Sequence, residues 1–448
     1  MDVGSFKKLG LWGFAIIAAL LCSCRSGGDA ADSNRVSIAA AGAVGDGVTL
    51  NTPIIQKAID QLATNGGGTL VIPQGEFLTG AIFLRPGVNL HLDAGAVLKG
   101  STNIEDYPTM ETRIEGHTQV WRPALVNAKN ADHLRITGEG TIQGGGKPFW
   151  DAFWERRMSN HLTQNLDVER PRNVFIQDSK DVQISGISLR DSGFWNVHLY
   201  RCQQVLVDKL DIRAPVRSPS TDGIDVDSCQ DVTIRGCYIS VNDDNIVLKG
   251  DKGPSAMEDK DSPPVAHIRI SDCTFGLGNA GLTVGSEATR VRDVVMENCR
   301  LTGAEVNWVL KLKLRPDTPQ IYEDITVRNI TVDNPAARLV SIEAWNQFID
   351  LHNQPAPDQL VDRVTLANIT GTLNSFGRIG GPPKSTVQNV TLQNIDIKLS
   401  QPAVVIKQVK NLKLDNVKIN GVPYTGEPET ARNCQKLAEF IHLELAST

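Results

Sequence analysis

Short segments in which apolar and polar residues alternate recur down the chain. They are Val182–Ile187 (VQISGI), Val205–Leu210 (VLVDKL), Val232–Cys237 (VTIRGC), Ile268–Cys273 (IRISDC) and Val294–Cys299 (VVMENC), then Ile325–Ile330 (ITVRNI), Val364–Ile369 (VTLANI), Val390–Ile395 (VTLQNI) and Leu412–Val417 (LKLDNV). A period of two means strands, and repetition every 22 to 39 residues means coils of a solenoid, the longer gaps being a coil plus a loop. The pattern therefore predicts an all-β chain folded as a single parallel β-helix. Asn298, Asn329, Asn368, Asn394 and Asn416 share one phase of the unit, where each amide can bond its copy in the next coil. Cys237, Cys273 and Cys299 share an apolar phase and read as small core residues.

Ahead of the repeats, residues 53–63 form one amphipathic helix, followed by Gly66–Gly68 and the apolar run Thr69–Pro73. A helix there caps the open end of the solenoid, and the glycines serve a turn, since they precede a strand and not a helix. Earlier still, Lys7 and Lys8 precede an apolar stretch from Leu9 to Leu21 that is too short to span a bilayer comfortably and ends in Leu21-Cys22-Ser23-Cys24. This resembles a bacterial lipobox. The expected organisation is a lipoprotein signal peptide over 1–23, a polar tether over 24–35 anchored through a lipid on Cys24, and the β-helix domain over 36–448. The mature chain is expected to be an exported, monomeric lipoprotein of the outer membrane, facing periplasm or cell surface, that meets the membrane only through its lipid. An ordinary secretory signal is the alternative.

Composition narrows the partners. Aromatic residues are 5% of 448, and the net charge of −6 argues against nucleic acid, so a polyanionic ligand needs a local cluster of cations. No cysteine or histidine spacing fits zinc. Outside the cytoplasm Cys202, Cys229, Cys237, Cys273, Cys299 and Cys434 could oxidise, but nothing in the sequence pairs them.

The chemistry gathers where four strands come into register: Ile224–Asp227, Ile246–Lys249, Leu282–Gly285 and Leu310–Lys313. In each the even-numbered residues are apolar and face the core. The outward columns then read Asp225, Val247, Thr283, Lys311 beside Asp227, Lys249, Gly285, Lys313. At the preceding turns sit Asp222, then Asp243 and Asp244, then Asn279 and Ala280. This predicts a groove with carboxylates at one edge and ammonium groups on its floor. One carboxyl group can protonate a leaving oxygen while another activates water, and lysines can hold an anionic sugar. Three such acids cannot all ionise cheaply, so one keeps its proton. His198, after Phe194-Trp195, and Trp345 and Arg378, in loops of later coils, are further candidates to line the groove. The loop 251–264 is long enough to wall it.

Ser220-Thr221-Asp222, Asp243-Asp244, Gly285-Ser286-Glu287 and Lys311-Leu312-Lys313, in that order and at coil spacing, resemble the motifs of the polygalacturonase family, glycoside hydrolase family 28. The resemblance runs from about Val36 to the last repeats and includes Phe194–His198. It implies a right-handed parallel β-helix and an inverting hydrolysis of α-linked galacturonic acid in pectin that needs no metal or other cofactor, with Asp243 as general acid, Asp222 and Asp244 orienting and deprotonating the water, and Lys313 binding substrate. Lys311, Asn279, Lys249, His198 and Trp345 complete the expected substrate contacts. The family's Gly-His-Gly is here Asn279-Ala280-Gly281, and its Arg-Ile-Lys is Lys311-Leu312-Lys313, so a histidine and a bidentate guanidinium are missing. That loss resembles the rhamnogalacturonan-cleaving branch, and rhamnogalacturonan or its oligosaccharides is the expected substrate. Homogalacturonan, cut from its end, is the alternative; a non-catalytic pectin-binding lipoprotein and a pectin lyase stand behind it.

Overall fold

In the computed structural model, which describes residues 34–426 apart from 348, 350 and 352, the repeats stack as a parallel β-helix. Val182, Val205, Val232, Ile268, Val294, Ile325, Val364, Val390 and Leu412 follow one another coil by coil in strict register. All but the last are fully buried, because a one-residue slip would turn every apolar side chain of a coil outward. The asparagine phase forms the expected ladder. Asn329 donates to Asn298, Asn368 to Asn329, Asn394 to Asn368 and Asn416 to Asn394, at 2.9–3.1 Å. Each of the five sits at φ between 51° and 56°, a left-handed corner that asparagine tolerates better than most residues. Cys202, Cys229, Cys237, Cys273 and Cys299 are buried free thiols, and Cys273 and Cys299 donate to carbonyls of their own turns.

Helix α1 (Thr52–Thr64) covers the first coils with Ile55, Ala58, Ile59 and Leu62, as the spacing predicts. Gly67, at φ 98°, approaches Gly87 so closely that a Cβ would stand 2.5 Å from its carbonyl oxygen, which confirms a turn glycine. The first described strand, Arg35–Ser37, pairs in parallel with Thr69–Val71. The expected signal peptide, Cys24, nearly all of the expected tether and Cys434 lie outside the described residues.

Two insertions leave the coils and define the site. A hairpin of β1 (Met110–Ile114) and β2 (His117–Trp121) folds back antiparallel, and after it α2 (Lys147–Ser159) places Phe149, Trp150 and Phe153 inward. The hairpin is pinned by Arg113, whose guanidinium bonds Asp227 at 2.9 and 3.2 Å and Asp251 at 2.5 Å. The segment after α2 is pinned by Arg170, buried between the rings of Phe153 and Phe194 at 4.5 Å and donating to the carbonyl of Pro219.

The floor beneath them is a run of parallel strands: β3 (Val197–Tyr200), β4 (Ile224–Asp227), β5 (Ile246–Lys249), β6 (Thr274–Val284), β7 (Arg300–Leu314), β8 (Arg338–Ala344), β9 (Gln359–Ile379) and β10 (Val405–Ile406). Asp225 pairs with Val247, Val247 with Thr283, and Thr283 with Lys311, so the outward column has the predicted order.

Candidate active site

Two residues before the paired parts of β3, β4 and β5, the stacked turns bring Trp195, Asp222 and Asp244 above one another. The turn backbones lock them there: Asn196 N–H donates to the Asp222 carbonyl, Gly223 N–H to the Asp244 carbonyl and Asn279 N–H to the Asp243 carbonyl, at 2.8–2.9 Å. All three acids line a single cavity of about 400 Å³, with Glu115, Trp154, Arg157, Trp195, Lys249, Lys252, Asn279, Glu287, Lys313, Arg315 and Trp345.

Their surroundings separate their proton affinities. Asp244 receives Lys313 Nζ at 2.7 Å, Thr283 Oγ1 at 2.7 Å and Asn279 Nδ2 at 3.1 Å. Burial would raise its pKa, but Lys313 and Lys311 with these donors outweigh it and hold Asp244 below the usual carboxylate range. Asp243 spends one oxygen on the Asp244 backbone N–H at 3.0 Å. Burial first, then the negative charge of Asp244, raise it against the pull of Lys313 and Lys249, so Asp243 retains its proton more tightly than an ordinary carboxyl. Asp222 is raised well above the ordinary value by burial, then by Asp225 and Asp243.

Asp225, fully buried, has no N–H or O–H donor on either oxygen. Burial pushes it up to about 8, against the opposing pull of Lys249 and the neighbouring Asp222. Lys249 Nζ stands among carboxylates, 3.4 Å from Asp222, 3.6 Å from Asp225 and 3.6 Å from Glu287, and 4.4 Å above the Trp195 ring. Burial opposes its charge, yet Asp222, Glu287 and Asp225 hold it protonated well above the usual lysine range. Glu287 itself is kept ionised, since Lys249, Lys252 and Arg315 overcome its burial.

At the other side of the acids, Lys311 and Lys313 share one support, with Nζ 4.9 and 4.6 Å from the centre of the Trp345 ring. Lys311 also reaches Asn279 Oδ1 at 3.4 Å, and burial with the neighbouring Lys313 charge lowers it to about 8. Asp222, Asp243, Asp244, Lys249, Asn279, Lys311, Lys313 and Trp345 are thus brought together as expected. Arg378 lies further along the floor, in β9 and not in a loop.

His198 is the exception. It faces outward, paired with Asp225, but the insertions cover it completely: its Nδ1 accepts from Arg172 at 2.7 Å and its Nε2–H points to Asp227 at 3.3 Å. Burial and Arg172 lower it to about 3. It is a neutral structural histidine that holds the hairpin's anchor, and it does not line the groove.

Sequence reasoning missed the far wall. The hairpin tip presents Glu115 to the cavity, and a Cβ on Gly116 would stand 3.0 Å from Glu287 Cγ. Lys252, from the start of the loop 251–264, lies 3.9 Å from Glu115 and completes that wall. Glu287 carried a signal in Gly285-Ser286-Glu287, whereas Glu115, Arg113 and Arg157 stand in no repeat. Among the described residues no three His, Cys, Asp or Glu side chains are arranged to hold a metal ion.

Comparison with known proteins places this geometry in context. The sequence profile of the glycosyl hydrolases family 28 matches residues 64–420. A probable polygalacturonase of Vitis vinifera is 28% identical over 392 residues, covering 85% of this chain and 76% of that one. An exopolygalacturonase of Zea mays is 26% identical, covering 80% and 82%. The crystal structure of a hyperthermoactive exopolygalacturonase from Thermotoga maritima superposes with a TM-score of 0.73 at 23% identity, over 88% of this chain and 93% of that one, a likeness of fold.

Proposed function

The chain belongs to glycosyl hydrolases family 28 and is a glycoside hydrolase, and from that premise we propose that it removes galacturonic acid from the end of homogalacturonan with inversion. The observation that carries the reading is the division of labour among three acids in one cavity. Asp243, which keeps its proton, gives it to the glycosidic oxygen as the bond to the anomeric carbon breaks. Asp244, held anionic by Lys313, Thr283 and Asn279, orients a water on the opposite face and takes its proton. Asp222, whose pKa is raised well above the ordinary value, is a hydrogen-bond partner of that water and not an equal second base. Lys311 and Lys313 lie where a substrate carboxylate would otherwise bring unpaired charge beside the acids.

Two features favour the polymer's end as the point of attack. The hairpin tip and α2 close the cavity at one side, through Glu115, Phe153, Trp154 and Arg157, and several relatives are named exopolygalacturonases. Those names also move the preferred substrate from rhamnogalacturonan to homogalacturonan. The missing histidine and arginine weigh less than the sequence implied, since Asn279 bonds both Asp244 and Lys311 and two lysines share the carboxylate corner. The lipobox-like Leu21–Cys24 supports proposing that this hydrolysis happens outside the cytoplasm, on an anchored enzyme.

The test is product analysis. Incubated with polygalacturonate and with rhamnogalacturonan, the protein should release monogalacturonate from the first from the earliest times, without medium-length oligomers. Release from rhamnogalacturonan alone would overturn the substrate, and an early ladder of oligomers would overturn attack at the end.

A further inference from the structure

The cavity is walled on the side of the hairpin and α2, but the floor does not stop at Trp345. In one column Lys311 pairs with Ser341 of β8, and Ser341 with Arg378 of β9. In the neighbouring column Lys313 pairs with Glu343. Because Ile342 pairs with Ile379 and Ile379 with Ile406, Glu343 is followed by Gly380 and then Lys407. Arg378, Gly380, Gly381 and Lys407 line a second cleft of about 340 Å³, the glycines keeping its floor low. At the rise of stacked strands, about 4.8 Å, Arg378 stands about 10 Å beyond Lys311 and Lys407 about 14 Å beyond Lys313.

We propose that Arg378 and Lys407 form a distal subsite that binds a carboxylate of the galacturonan chain as it leaves the active site over the later coils. The inference rests on the galacturonan reading above and adds where the rest of the polymer lies. Both cations are exposed, and Lys407 enters no ion pair among the described residues. Arg378 is engaged by Glu343 at 3.3 Å, with half of its side chain still open to solvent. Glu343, on the same column as Lys313, faces the path of the substrate and repels it. A polyanion therefore meets two cations and one opposing anion, and affinity depends on the balance between them. Exposed pairs of this kind are worth up to about 1 kcal/mol each, roughly fivefold in affinity, and are weakened by salt.

Kinetics with a disaccharide and with a long oligogalacturonate separate this subsite from the catalytic one. Arg378→Ala with Lys407→Ala should raise KM for the long oligomer about tenfold at low salt, leaving kcat and the disaccharide's KM unchanged. Glu343→Gln should do the opposite, lowering the long oligomer's KM about twofold. Equal changes for both substrates, no change, or weaker binding in Glu343→Gln would overturn the subsite. If the wild-type protein hydrolyses no galacturonan, the functional reading fails by itself, and retardation of the chain in polygalacturonate-containing gels decides the subsite: the double variant loses it if the cations bind the polymer and keeps it if they do not.

Discussion

Asp243→Asn is expected to lower kcat on galacturonan by about 10²–10⁴-fold and to leave the coil intact. Asn is nearly isosteric, and the bond that fixes the turn, from Asp244 N–H to Asp243 Oδ1, can be kept by the amide oxygen. What is lost is the proton that burial and the Asp244 charge hold on this side chain. A leaving sugar alkoxide needs that proton, whereas an aryl leaving group of low basicity does not. The variant should therefore recover much of its rate on an aryl galacturonide, a pattern that a damaged fold or a lost binding contact would not give. Undiminished hydrolysis of the polymer by Asp243→Asn would remove the acid from its role.

The second large effect concerns stability. Lys249→Met keeps the apolar stem over Trp195 but removes the ammonium that stands within 3.6 Å of Asp222, Asp225 and Glu287. Breaking a buried ion pair by deleting one partner costs about 3–5 kcal/mol. The sign of its pH dependence follows from the carboxyl groups. Without Lys249 the folded-state pKa values of Asp222 and Asp225 lie further above the unfolded ones, and that of Glu287, held down in the wild type, rises toward its unfolded value, so the variant binds more protons in the fold and loses stability relative to the wild type as pH rises through that window. Lys249 itself, raised in the fold, contributes fully throughout this range and loses its contribution only in strong alkali. Thermal unfolding should show a large deficit at about pH 7 and a smaller one at about pH 4. An equal deficit at both would mean that only packing was lost.

What the sequence revealed was whatever repeats. The period-two pattern of Ile224–Asp227, Ile246–Lys249 and Leu310–Lys313 set the phase of each coil, and the phase alone put Thr283 and Lys311 in one outward column. The asparagine ladder was legible for the same reason. The walls were not, because they come from insertions with no period. Arg113 reaches Asp227 across 114 positions, and nothing local marks either residue as the other's partner. His198 shows the consequence: its phase correctly turned it outward, but the surface it faces is covered by Arg113 and Arg172, so an outward residue became a buried one. The expected preference for rhamnogalacturonan rested on similar grounds. Two absent motif residues looked like a lost carboxylate clamp, while Asn279, Lys311 and Trp345, which occupy that corner together, belong to three different coils.

The most direct measurement is the anomer released first. If Asp243 gives its proton to the leaving oxygen while a water held by Asp244 attacks from the opposite face, an α-linked galacturonan must yield β-galacturonic acid, and proton NMR in the first minutes should show the β-anomer growing before mutarotation fills in the α. Initial appearance of the α-anomer would mean retention, and with it a covalent intermediate on a carboxylate now assigned to water.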